Sequence, residues 1–321
     1  MSSQKKLAVV IPAFKVANQI LDVITKIGPE VALIVVVDDC CPQSSGELVR
    51  IRTDDKRVEV LTHKENKGVG GAMITGYKFA LEQGADVIVK LDGDGQMNPS
   101  LIPLITEPIL KSQADYVKGN RFFNVQVILR MPKVRILGNL VLSFFSKVST
   151  GYWQVFDPNN GFTAIHASAL ELLPLEKISN RYFFESDMLF RLNLARAVVI
   201  DVPMDAVYGD EKSNLSIART LFEFPFKHAR NFIKRVAYSY YLRDFTLASL
   251  ELPAGLVLLT TGSIAAIYTW IHSANLNQAT PTGTLILIAM MLLSSIQLLL
   301  SFASYDMQSS PKKPISNFDR I

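Results

Sequence analysis

The chain of 321 residues is 49% hydrophobic and 19% charged, with a formal net charge of +4. This allows a sizeable core plus an appendage and is too weakly basic to point to nucleic acid, although clustered cations would suit an anionic membrane or a phosphate-bearing substrate. Cys40 and Cys41 are adjacent, so they build neither a disulfide framework nor a zinc-like spacing, and a reducing compartment fits. In "MSSQKKLAVVIPAF" the apolar stretch is only about six residues long before a proline; it does not read as a signal peptide, and this end is expected in the cytosol.

Short β-branched runs come first. Residues 7–12, 32–39, 57–63, 85–92 and 114–120 read as strands, and the mixed segments 18–27, 46–53, 70–83 and 99–111 between them read as helices. Near-continuously apolar strands alternating with helices predict an α/β fold with a mainly parallel sheet covered on both faces. Ligands bind such sheets beyond the carboxyl ends of the strands, where Asp38, Asp39, Asp92 and Asp94 fall.

Residues 128–150 combine apolar and basic side chains without an acid; they suit either an interfacial helix or an amphipathic helix covering the sheet. Residues 217–244 interleave Leu, Phe, Ile and Tyr with Lys and Arg. That pattern fits a helix lying at a membrane surface, the alternative being a solvated helix packed on the soluble domain, and Pro225 should break or kink it. Leu252 to Ile271 and Thr284 to Tyr305 are uncharged runs, each of about 20 residues, long enough to span a bilayer. Lys227, Arg230, Lys234, Arg235 and Arg243 precede the first run and Lys312 and Lys313 follow the second, whereas the connector "HSANLNQATP" carries no Lys or Arg; the positive-inside rule keeps both flanks cytosolic. The expected divisions are a catalytic domain over 1–216, interfacial helices over 217–249, a two-helix transmembrane hairpin over 250–306 and a flexible tail over 307–321. Assembly of so small an anchor into a homo-oligomer through its spans is a further expectation.

In "KLDGDGQMNP", Asp92, Asp94 and Gln96 alternate at the end of a predicted strand. Alternate side chains turn to one side, so their oxygens would converge on a divalent cation together with a substrate's phosphates; a solvated turn is the plainer reading. The glycine turn in "NKGVGGAMITGYKFAL" fits neither a Walker A loop nor a strict dinucleotide fingerprint. His63, His166, His228 and His272 are widely separated and read as structural.

"VVIPAF", "VVVDDCCPQSS", "LDGDGQMNP", "YVKGNRF", "DPNNGF" and "YFFESDML", in this order, resemble the family 2 glycosyltransferases with the GT-A fold, and more closely the branch of dolichol-phosphate mannose synthase and bacterial polyprenyl-phosphate glycosyltransferases. The likeness covers roughly residues 6 to 215. It implies that Pro12, Ala13 and Asp39 border the nucleotide, and that Asp92, Asp94 and Gln96 hold Mg2+ or Mn2+ against a nucleotide-sugar diphosphate. It links Arg121 and Arg135 to phosphate on donor or acceptor, and places Lys212 in a loop that closes over the site. The sequence departs from the family at Lys15, Val16 and Ala17, at Cys40 and Cys41, and at Met97 and Asn98.

The resemblance implies inverting transfer of a sugar from a UDP- or GDP-linked donor to a polyprenyl phosphate at the membrane. A polyprenyl phosphate is ionised at neutral pH and needs no base. A glycan hydroxyl or diacylglycerol acceptor, the alternative, would need one, with Glu185 or Asp187 as candidates; their plainer role is to orient neighbouring basic groups. A non-catalytic membrane scaffold is the remaining alternative, against which the intact acidic and basic set speaks.

Overall fold

A computed structural model describes residues 5–123, 133–158, 160–204 and 217–317, without the side chains of 133–135 and 217–222. Lys212 therefore lies outside the described residues, and Arg135 is described by its backbone alone. The chain divides into two compact units, Met1–Phe232 with Ser310–Ile321, and Ile233–Ser309.

In the first unit β1 (Leu7–Ala13), β2 (Val31–Asp38), β3 (Val58–Thr62) and β4 (Val87–Lys90) alternate with α1 (Ile20–Thr25), α2 (Ser45–Arg52) and α3 (Val69–Glu82). Beyond them lie α4 (Ile102–Leu110), β5 (Tyr116–Asn120), α5 (Lys133–Thr150), β6 (Thr163–His166), α6 (Ala167–Glu171), α7 (Phe184–Leu194), β7 (Val199–Pro203) and α8 (Ile217–Ala237). The strands form one seven-stranded sheet ordered β3-β2-β1-β4-β6-β5-β7. Parallel pairing joins β1 to β2 and β4, β2 to β3, and β5 to β7, while β6 runs antiparallel between β4 and β5. The central strands are apolar at nearly every position because both faces are covered: Val9, Ile11 and Val36 pack toward Ile102 and Ile105 on one side, and Val10, Val35 and Val37 toward Tyr77 and Phe184 on the other.

All five predicted strands are present, with ends moved by a few residues; β6 and β7 were not anticipated. Residues 133–150 form a helix as expected. Pro225, expected to break or kink the next helix, sits inside α8, which runs unbroken from Ile217 to Ala237. A proline removes one backbone hydrogen bond, and packing on both sides of it holds the helix: the ring of Phe224 meets that of Phe183 edge-on at 5.2 Å, and His228 Nδ1 lies 2.7 Å from Ser149 Oγ. Burial among these rings pushes the His228 pKa down to about 4. The two compact units divide within α8, after Phe232.

The tail, expected to be flexible, belongs with the first unit through residue 317. The Asp115 carboxylate, fully buried, accepts from Ile315 N at 3.0 Å, Ser316 N at 3.2 Å and Val198 N at 2.8 Å, and Ser310 Oγ donates to Gly151 O at 3.1 Å. Three N–H groups on one buried carboxylate outweigh the polar composition from which disorder was expected.

In the second unit α9 (Leu247–Leu276) and α10 (Thr282–Gln308) pair through a short connector, Asn277 closing α9 in the left-handed region at φ 53°. Gly255 and Gly262 let α10 approach closely, since a Cβ on either would meet Leu299 or Leu292 within about 3 Å. Ser295 Oγ donates to Gly255 O at 2.9 Å and Ser301 Oγ to Glu251 Oε1 at 2.7 Å. Arg235 and Tyr240 converge on Asp306, with Arg235 bidentate at 2.6 and 3.0 Å. Mean hydropathy reaches 1.6 in α9 and 2.4 in α10, yet only 11% and 17% of those stretches are buried. A soluble core helix would be mostly covered; these two are long and apolar enough to cross a membrane and leave their apolar faces open.

Candidate active site

A cavity of about 570 Å³ opens at the carboxyl ends of β1, β2 and β4, where a doubly covered sheet places its ligands. One wall comes from Pro12, Ala13 and Phe14 after β1, Asp39 after β2, and Lys90, Asp92 and Asp94 at the end of β4. A second wall takes Arg181 and Tyr182 from just before α7 and Glu185 from its first turn, Asn139 and Leu142 from α5, and Phe224 from α8.

The adjacent acids after β2 have separate duties. Asp38 closes the following loop, accepting from Cys41 N at 2.7 Å and Gly46 N at 2.6 Å; a Cβ on Gly46 would lie 2.7 Å from the Asp38 Cβ. Asp39 reaches the cavity, but its carboxylate accepts from His63 Nδ1 at 2.7 Å, Lys67 N at 2.8 Å and Gly68 N at 2.7 Å. It thereby fixes the glycine turn, and Gly68, at φ 86°, passes so close to Asn180 that a Cβ would lie 2.6 Å from its carbonyl oxygen. The glycines serve close packing of the turn on the 179–181 segment.

Lys90 is the residue that sequence reasoning passed over. Its side chain is 1% exposed, and Nζ donates to Asp92 Oδ1 at 2.8 Å while lying 3.5 Å from Glu185 Oε1. Burial works against its charge, but Asp92 and Glu185 outweigh burial and hold its pKa above the ordinary lysine value. One ammonium thus bridges two cavity carboxylates from different elements. Gly161 makes room for it: a Cβ there would sit 2.3 Å from Lys90 Nζ and 2.7 Å from Asp92 Oδ2. The sequence signal was a lysine ending the apolar run "ADVIVK", since a charge in a buried strand requires partners. Thr163 on β6 is the register partner of both Lys90 and Lys118. Burial pushes the Lys118 pKa down to about 8 against the opposing pull of Glu185, Asp157 and Asp201, and its Nζ donates to Asn160 O at 2.7 Å.

Of the remaining expected residues, Glu185 faces the cavity and Asp187 does not. Asp187 accepts from Ser179 N at 2.9 Å, Asn231 Nδ2 at 3.2 Å and the Arg191 guanidinium, tying the 178–180 segment to α7 and α8. Arg121 stands outside the cavity lining, its guanidinium held by buried Asp157 at 2.8 and 3.1 Å. Gln96 is also outside the lining: its N–H closes a turn onto Asp94 Oδ1 at 3.0 Å and its side chain is exposed.

Among the described residues no three His, Cys, Asp or Glu side chains gather into a metal cage. Mg2+ and Mn2+ in nucleotide sites need no such cage, because one or two carboxylates, water and the substrate's phosphates complete the sphere. Asp92 and Asp94, two hard-oxygen donors on one cavity wall, fit a cation of that kind.

The model of the family described as glycosyl transferase family 2 matches residues 8–173, more than half of the chain. The chain is a family 2 glycosyltransferase. Among its relatives, the UDP-N-acetylglucosamine–dolichyl-phosphate N-acetylglucosaminyltransferase of Methanococcus voltae is 30% identical over 222 residues, covering 65% of this chain and 88% of its own. The undecaprenyl-phosphate mannosyltransferase of Micrococcus luteus is 31% identical over 176 residues, covering 54% and 71%. The fold matches that of glucosyl-3-phosphoglycerate synthase from Mycobacterium tuberculosis, in complex with Mn2+, UDP-glucose and phosphoglyceric acid, with TM-score 0.52 and 19% identity over 72% of this chain and 79% of that one. The glycosyltransferase family region spans every strand end that lines the cavity, and Arg181, Glu185 and Phe224 lie beyond it.

Proposed function

We propose that this glycosyltransferase moves a sugar from a UDP- or GDP-linked donor to a polyprenyl phosphate, with inversion, at the cytosolic face of a membrane in which α9 and α10 are inserted. One observation carries the reading: the cavity joins the acidic strand ends to apolar Leu142 and Phe224, which belong to α5 and α8. A nucleotide diphosphate suits the first wall and an isoprenyl phosphate the second. The two relatives named for dolichyl and undecaprenyl phosphate support the acceptor class, and the basic residues flanking the apolar helices support the cytosolic orientation.

In this reading an oxygen of the acceptor phosphate attacks the anomeric carbon, a new C–O bond forms on the face opposite the leaving group, and the bond to the nucleoside diphosphate breaks. The acceptor is already anionic, so the protein's part is positioning and charge control. Pro12, Ala13 and Asn66 wall the nucleotide end, and Lys90 holds Asp92 and Glu185 in place. Asp92 and Asp94 would hold Mg2+ or Mn2+, which would neutralise charge on the departing diphosphate; the mycobacterial enzyme of this fold is found in complex with Mn2+ and UDP-glucose. A hydroxyl acceptor would call on Glu185 as base, but that carboxylate is already engaged by the Lys90 ammonium 3.5 Å away.

Asp94→Asn should lower turnover about 100-fold or more while the protein still folds, and excess chelator should do the same to the native enzyme. Full activity under both conditions, measured by sugar transfer in detergent, would remove the metal from the account.

A further inference from the structure

The cavity carries four carboxylates, Asp39, Asp92, Asp94 and Glu185, and among the described residues that line it the cations are Lys90 and Arg181. Lys90 is buried and committed to Asp92 and Glu185. The Arg181 guanidinium makes no hydrogen bond or ion pair with any described residue, and its side chain is exposed.

The backbone from Ser179 to Arg181 is nevertheless held at three points. Gly71 N donates to Asn180 O at 3.1 Å, Phe184 N to Arg181 O at 2.8 Å, and Ser179 N to Asp187 Oδ2 at 2.9 Å. On the α3 side the fit is close, since a Cβ on Gly70 would lie 2.2 Å from Ser179 O. A fixed backbone presenting an uncommitted guanidinium to a cavity is built to receive an anion, because the positioning cost is met in the fold and the fork matches two phosphate oxygens at once. Neighbouring side chains place Arg181 along the cavity: Phe183, two residues on, packs on Phe224, the apolar lining residue from α8, while a Cβ on Gly68 would lie 3.0 Å from Arg181 Cγ, so Arg181 stands between the apolar lining and the glycine turn, where an acceptor phosphate must come to meet the donor.

We infer that Arg181 is a substrate-binding residue that grips the phosphate of the acceptor. The inference rests on the polyprenyl phosphate reading above. Arg181→Ala should raise the acceptor KM about 10-fold or more, leave the donor KM within about twofold of native, and leave the thermal transition unmoved because the side chain is exposed. Arg181→Lys, which keeps the charge and loses the fork, should fall between the two.

The experiment measures both Michaelis constants for the full-length native enzyme and the two variants in detergent, with undecaprenyl or dolichyl phosphate as acceptor. An unchanged acceptor KM in Arg181→Ala overturns the inference, and so does a rise confined to the donor KM, which would move Arg181 to the donor diphosphate. Failure of the native enzyme to glycosylate any polyprenyl phosphate would instead overturn the acceptor reading, and this inference with it.

Discussion

Asp92 and Asp94 were legible in the sequence because a strand end fixes where alternate side chains go, and both line the cavity. The role of Asp39 was less legible: the sequence located it beside the cavity, whereas its commitment to the turn at Lys67 and Gly68 depends on β3 and α3 lying beside β2. Lys90 and Gly161 sat inside quoted motifs without a role, since they meet only when β6 is inserted beside β4. Gly161→Ala makes this contact testable. The added methyl must displace the buried Lys90 ammonium or the Asp92 carboxylate. We expect a stability loss of about 1–3 kcal/mol and turnover down by about tenfold or more, read by thermal melting and sugar transfer. Native turnover would show that the Lys90 bridge has no part in the chemistry.

Strands β1 to β5 were readable as apolar runs, but β6 contains Thr and His in four residues and β7 carries Asp201 and Pro203, so composition marked neither. Antiparallel β6 pairs on both sides, and only that pairing reveals its place. The carboxy-terminal segment was misread for a similar reason, because its order comes from Asp115, about 200 residues earlier in the chain. Asp115→Ala would leave the N–H groups of Val198, Ile315 and Ser316 without their acceptor, at a cost of about 1–3 kcal/mol for each group left buried. Trypsin should then cleave after exposed Lys312 several-fold faster than in the native protein; an unchanged cleavage rate would mean that the carboxylate does not hold the segment.

At the scale of the molecule, the chain leaves its catalytic unit after Phe232, runs through two helices able to cross a bilayer, and rejoins that unit at Ser310. Two crossings, as proposed, would return the tail to the side it left, as the basic residues flanking both helices would require. The family and the membrane-length helices were legible because local composition encodes them. The part of the cavity proposed to take the acceptor was not, because Asn139, Leu142, Arg181 and Phe224 come from three separate segments. The central claim is the acceptor, and one measurement reaches it directly: full-length enzyme in vesicles containing undecaprenyl or dolichyl phosphate, given a panel of radiolabelled UDP- and GDP-sugars. Label should appear from one donor in a lipid that mild acid cleaves, as a glycosyl phosphate requires. Label found only in an acid-stable glycolipid or glycan would contradict it.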